Sequence, residues 1–221
     1  MKYLKLLSIS LFAIMVTACN SNGQTGKNKT NTAIKLQAPK GKAIAAFAEG
    51  CFWCSEHIFE AVVGVDSAVS GYAGGNVPNP SYELVNTETT GHAESILVYY
   101  NPKVVSYDEL VKVFFASHDP TTPNQQGPDR GNSYRSILFY QTDSEKQIAM
   151  NEIKKISASD QFSNPLVTEL KKLDAFYRAE EYHQDYISAG KGRGNPYVSG
   201  VSIPRYEKFK KNYHGKLKKG A

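Results

Sequence analysis

Two of the three cysteines, Cys51 and Cys54, stand three residues apart in Gly50-Cys51-Phe52-Trp53-Cys54-Ser55-Glu56, with the only tryptophan between them. Two thiols at this spacing at the start of a helix share a face and can touch. The first of them meets the unpaired N–H groups and the positive end of the helix dipole, both of which favour a thiolate. Cys51 is therefore a candidate nucleophile, and Cys54 a partner that could close a disulfide onto it. Other uses of the pair fit less well. A structural disulfide across so short a loop would stabilise little. Zinc wants four ligands, and His57 is near but no second cysteine pair exists. A c-type haem needs histidine directly after the second cysteine, where Ser55 stands. Phe52 and Trp53 leave two readings open, core packing or an apolar cup beside the sulfur.

Glu94, in Gly91-His92-Ala93-Glu94-Ser95-Ile96-Leu97-Val98-Tyr99-Tyr100, shares one face of a strand with Ile96, Val98 and Tyr100. A carboxyl on an apolar face is desolvated, holds its proton near neutral pH and can act as a general acid. The pattern alone leans the other way, towards an exposed glutamate at a fraying strand end. The run Asp129-Arg130-Gly131-Asn132-Ser133-Tyr134-Arg135-Ser136 precedes a strand. It reads either as a pocket rim or as an ordinary turn.

Positioning these residues requires a strand over Ala43–Ala48, a helix over Cys51–Val63 and a strand over Val65–Tyr72. Next come a strand pair, Leu84–Thr89 and Ala93–Tyr100, and a helix capped by Ser106 that runs to about Ser117. A long polar loop over residues 118–133 is of the kind that is usually functional. Strand Tyr134–Gln141, helix Thr142–Ser157, strand Leu166–Leu173 and a short helix over Ala179–Ser188 complete the pattern. It mixes hairpins with crossovers, which predicts an α+β fold: one mixed sheet with helices mainly on one face.

The chain has 221 residues, 41% hydrophobic and 21% charged, ordinary for one globular domain plus extensions. It has no nucleic-acid signature. The N-terminus differs from the rest: Lys2 and Lys5 precede an apolar run, Leu6–Met15, too short to span a membrane and flanked like a signal peptide. Val16-Thr17-Ala18-Cys19 is similar to the lipobox of bacterial lipoproteins, which would make Cys19 a lipidated first residue of the mature chain. Removing residues 1–18 would take away Lys2 and Lys5 and lower the formal charge from +5 to +3. Residues 19–42 read as the lipidated cysteine and a flexible spacer. The late lysines, Lys208, Lys210, Lys211, Lys216, Lys218 and Lys219, read as a solvated basic tail.

Taken together, "GCFWCSEHIFE", "GVDSAVSGYAGG", "NPSYELV", "TGHAES", "FFASHDPTTPNQQGPDRGNSYRS" and "AEEYHQDY" resemble, in order, the A-type peptide methionine sulfoxide reductases. The resemblance implies a two-layer fold related to the ferredoxin-like topology, in a reductase domain over residues 43–213 followed by a basic tail, 214–221. It implies that Cys51 attacks the sulfur of methionine S-sulfoxide, that Glu94 protonates the oxygen, and that Tyr82 and Tyr134 hydrogen-bond that oxygen. Phe52 and Trp53 would cup the S-methyl group, and Asp129 would help hold the substrate. Cys51 would be left as a sulfenic acid. Many relatives have glycine at Cys54 and recycling cysteines in a C-terminal tail. This chain has none after Gly190, so Cys54 is the candidate resolving cysteine, and a thioredoxin-like donor, or dithiothreitol in vitro, would reopen the disulfide. Ser133 stands where relatives often have glutamine. The resemblance implies no metal or cofactor, oxidised proteins as substrates and a monomer, and the lipobox-like N-terminus implies a lipoprotein on the periplasmic side of a membrane. The competing readings are a thioredoxin-like thiol–disulfide oxidoreductase using Cys51 and Cys54, and a non-enzymatic lipoprotein that binds a partner through its tyrosine-rich surface.

Overall fold

The computed structural model describes residues 32–220. The signal segment and Cys19 lie outside the described residues.

The chain runs β1 (Ala43–Glu49), α1 (Phe52–Glu60), β2 (Val65–Ala73), α2 (Tyr82–Val85), β3 (Ala93–Tyr100), α3 (Tyr107–Ser117), β4 (Gln125–Gln126), β5 (Asp129–Arg130), β6 (Ser136–Tyr140), α4 (Asp143–Ser157), β7 (Glu169–Lys172), β8 (Phe176–Arg178) and α5 (Ile203–Asn212). Six strands form one sheet in the order β7-β6-β1-β3-β2-β8, and β4 pairs with β5 as a separate small hairpin. Within the sheet, β1 is antiparallel to both β3 and β6, and β2 to β3. The inner β6-β1-β3-β2, linked by α1 and α3, is therefore the ferredoxin-like βαββαβ unit. β7 adds parallel to β6 and β8 antiparallel to β2, which makes the sheet mixed.

Strand alternation sorts the two faces. Ala45 and Phe47 of β1, with Ile96 and Val98 of β3, meet Ile58 and Phe59 of α1, Leu110 and Phe114 of α3, Ala149 of α4 and Phe209 of α5. Ile44, Ala46, Leu97, Ile137 and Phe139 point the other way and are covered by Phe176, Leu173, Ile34, Leu36 and Ala38. The two longest helices begin on capping side chains: Ser106 accepts from Glu109 N–H at 3.1 Å, and Thr142 and Glu145 form a reciprocal capping box.

Four expectations change. Residues 84–89 do not form a strand: Ser81 caps a short helix that turns at Asn86, and Glu88 takes positive φ, 62°. Residues 179–188 are not a helix; β8 leads into a single 3-10 turn, Glu181–His183. The predicted spacer is partly ordered: Ala33 bridges Tyr177, and Ile34 N–H donates to the Phe176 carbonyl at 2.8 Å. The late lysines do not all lie in a free tail, because Lys208, Lys210 and Lys211 sit on α5, and Lys216 and Lys218 hydrogen-bond to the α1–β2 connection. The helix α5 went unread because its composition is basic. Tyr206, Phe209 and Tyr213, behind Pro204, carry the apolar spacing that could have shown it.

Candidate active site

β1 ends at Glu49, and the chain must reverse at once into α1. Gly50 makes this possible with φ +93°, and a Cβ there would lie 2.5 Å from Gln126 Cβ and 3.7 Å from Arg205 Nη1. Gly50→Ala is expected to cost roughly 2 kcal/mol or more from the strained φ alone, and the overlap with Gln126 would move Cys51. A thermal melt, with an activity assay beside it, checks both effects.

Cys51 is the N-cap residue of α1, and its side chain makes no cap bond. Both it and Cys54 are buried free thiols. Burial overrides the helix dipole: it pushes the Cys51 thiol well up, aided by the hydrogen bond to Cys54. Cys54 is lowered to about 6 by its hydrogen bond to Cys51, with Arg205 and Ser202 contributing. The helix dipole alone would favour a thiolate on Cys51; in the folded pair burial and the Cys54 hydrogen bond work against it, and the shift of the second thiol is in the opposite direction, towards the anion.

Glu94 is 2% exposed on the helix-facing side of β3, and its Oε2 accepts the Phe52 N–H at 3.0 Å. That bond satisfies a donor of the first turn that has no partner within the helix. Burial nevertheless raises the carboxyl to about 8, so at neutral pH it is a carboxylic acid. The buried alternative for Glu94 is therefore the one the fold selects.

Phe52 is buried, and its ring packs on Tyr72, Tyr82 and His183, as the packing reading of the aromatics expects. Trp53 stacks on Tyr186 at 3.9 Å between ring centroids, and its Nε1–H donates to His183 Nδ1 at 3.1 Å. Tyr82 is placed by Glu180, which accepts the Tyr82 N–H at 2.9 Å and the Tyr72 hydroxyl at 2.8 Å. Tyr134 ends a 3-10 turn held by Ser133, whose N–H and hydroxyl both donate to Glu88, at 2.8 and 2.7 Å. The departure at Ser133 thus has a structural role: it ties the Tyr134 turn to the loop after α2. The phenols of Tyr82 and Tyr134 are both raised, by burial first and then by the charges of Glu94, Asp129 and Cys51. Asp129 accepts the Tyr197 hydroxyl, and Tyr197 also hydrogen-bonds Cys51.

Every expected site residue among the described ones therefore converges on Cys51. Sequence reasoning missed Tyr197, Ser202 and Arg205, which lie in or just before the unread α5. It also missed Glu49, the last residue of β1, which is buried against Arg205, and His183, which sits in "AEEYHQDY" with no chemistry visible in its spacing. Among the described residues, no group of three or more histidine, cysteine, aspartate or glutamate side chains is arranged to hold a metal ion.

The model of the family described as "Peptide methionine sulfoxide reductase" matches residues 43–217. The chain belongs to this family. The peptide methionine sulfoxide reductase MsrA 1 of Rhodopirellula baltica is 41% identical over 185 residues, covering 84% of this chain and 94% of that protein. MsrA of Sulfolobus acidocaldarius is 46% identical over 173 residues, 78% of this chain and 96% of its own length. Among solved structures, reduced Mxr1 from Saccharomyces cerevisiae superposes with a TM-score of 0.64 at 34% identity, covering 70% of this chain and 90% of that one. Cys51 and Glu94 meet at the first turn of α1: Cys51 is its N-cap residue, and Glu94 accepts the N–H of its first residue.

Proposed function

We propose that the protein reduces the S-epimer of methionine sulfoxide in oxidised proteins to methionine, with Cys51 as nucleophile and Glu94 as acid. The observation that carries this reading is the neutral, buried Glu94 bonded to the residue next to Cys51. A sulfoxide oxygen leaves poorly unless protonated, so the reaction needs a carboxylic acid and a sulfur nucleophile on one substrate. Tyr82 and Tyr134 polarise the S–O bond, Phe52 and Trp53 enclose the S-methyl group, and Asp129, held by Tyr197, steadies the substrate at the rim. Cys54 closes a disulfide onto oxidised Cys51, and a thioredoxin-like reductant reopens it. In this reading residues 43–213 are the working domain. Cys19 carries a lipid anchor on the periplasmic side of a membrane, supported by the lipobox-like Val16-Thr17-Ala18-Cys19.

The test is epimer-resolved reduction of a methionine sulfoxide peptide. With dithiothreitol, or with a thioredoxin system, the S-epimer is consumed and the R-epimer remains. Consumption of neither, with reduction of a protein disulfide instead, would replace this reading with the thiol–disulfide oxidoreductase.

A further inference from the structure

Behind the two sulfurs lies a buried charge group that the reaction above leaves unused. The Arg205 side chain, 11% exposed, is fixed on two sides: one Nη2–H donates to Glu49 Oε1 at 2.7 Å and Nε–H to the Ser117 carbonyl at 2.8 Å. Glu49 takes a second bond, from Ser117 Oγ, at 2.6 Å. The other arm of the guanidinium lies against Gly50, next to Cys51. One turn earlier, Ser202 Oγ sits 3.2 Å from Cys54 Sγ. A buried cation persists where anions pair it. Glu49 alone is a weak partner, since burial raises it to about 7.

We propose that Arg205 and Ser202 hold Cys54 as the thiolate of the resting pair, so that Cys54 first takes the Cys51 proton and later attacks oxidised Cys51. The inference rests on Cys51 being the nucleophile. It makes Arg205 and Ser202 positioning residues, acting through Cys54. The groups facing Cys54 are Cys51 on its own helix, Ser202 and Arg205 before and on α5, Glu49 at the end of β1, Glu94 on β3, Asp129 on β5 and Tyr197. Arg205 is the one cation among them. Glu94 and Glu49, raised by burial, oppose a thiolate only weakly near neutrality.

The resting site holds three groups and two protons: neutral Glu94, Cys51 as thiol and Cys54 as thiolate. Cys51 passes its proton to Cys54 and attacks the sulfoxide sulfur while Glu94 protonates the oxygen. The S–O bond breaks, methionine leaves, and Cys51 becomes the sulfenic acid, oxidised by two electrons as the substrate sulfur is reduced by two. Cys54 then attacks the Cys51 sulfur, its proton joins the departing hydroxyl, and water and the disulfide result. Glu94 regains its proton from solvent.

The experiment is an ultraviolet thiolate titration of the full chain. The difference between Cys51→Ser, whose hydroxyl can still donate to Cys54, and Cys51→Ser/Cys54→Ser isolates Cys54 from Cys19. The expected midpoint lies well below the ordinary thiol value of about 8.5. It should rise by at least about one pH unit, a tenfold fall in the ratio of thiolate to thiol, in Glu49→Gln/Arg205→Met, which leaves no unpaired buried carboxylate. Ser202→Ala, which keeps the ion pair, should raise it in the same direction and serves if the double variant does not fold. In Cys54→Ser the first-turnover pH profile should move to higher pH, because Cys51 must ionise alone. A Cys54 midpoint at the ordinary thiol value, or one unmoved by Ser202→Ala, overturns the proposal. Sulfoxide reduction surviving in Cys51→Ser would instead overturn the assignment of the nucleophile, which the titration does not address.

Discussion

Glu94→Gln is expected to slow the first turnover by about 10²–10⁴-fold, the usual worth of a positioned proton donor. The amide keeps the shape of the carboxyl and still offers an oxygen to the Phe52 N–H, so α1 and both sulfurs stay in place. What is lost is the proton. Native Glu94, raised to about 8 by burial, is active in its protonated form. The native rate should therefore fall as pH rises through about 8, and the variant should lose that descending limb. Stability should fall with rising pH as well. Between about 4.5 and 8 the folded chain keeps a proton on Glu94 that the unfolded chain has released, so stability falls across that window as pH rises. At about 1.4 kcal/mol per unit this reaches on the order of 5 kcal/mol, and glutamine escapes it. Urea melts of the two proteins at pH 5 and pH 8 check this: the variant should gain at pH 8 and differ little at pH 5. Equal rates in single-turnover assays would remove Glu94 from the chemistry.

Cys51→Ser is expected to form no methionine at all, even with excess dithiothreitol, because a hydroxyl at this position cannot accept oxygen from a sulfoxide. Cys54→Ser should behave differently. One methionine per chain still forms, more slowly at neutral pH, and thioredoxin-driven cycling is lost because no disulfide closes. Counting methionine by mass spectrometry, with and without a thioredoxin system, separates the two. Full thioredoxin-driven cycling in Cys54→Ser would mean that the reductant attacks oxidised Cys51 directly and that Cys54 only packs.

The part of the fold that could be read from sequence is the part whose residues alternate or repeat cleanly. β1, α1, β2, β3, α3 and α4 come from residue patterning and, for α3, from the cap at Ser106. The residues that changed state are short segments whose shape is set by distant partners. Tyr82–Val85 is helical where Glu180, far along the chain, accepts the Tyr82 N–H. Phe176–Arg178 becomes a strand because the edge of β2 is open to it. The site divides in the same way. Cys51 and Cys54 announce themselves by type and spacing, whereas Glu94 is singled out by the resemblance, its pattern alone leaning towards an exposed strand end. Arg205, Ser202 and Glu49 have ordinary neighbours and gain meaning only when α5 packs behind α1. The state of the thiols was misread for one reason: the helix dipole is visible in sequence, whereas the depth of burial is not.

Trp53 is the chain's only tryptophan, and its indole is clasped between Tyr186 and a neutral His183 beside the sulfur pair. Burial holds that imidazole at about 4, so it stays uncharged across the working range and its own titration adds no signal there. The tryptophan emission of the protein thus comes from one place. Filling of the aromatic cup, closure of the sulfur bridge beside it and release of the product can each be followed in real time by native fluorescence, with no label attached.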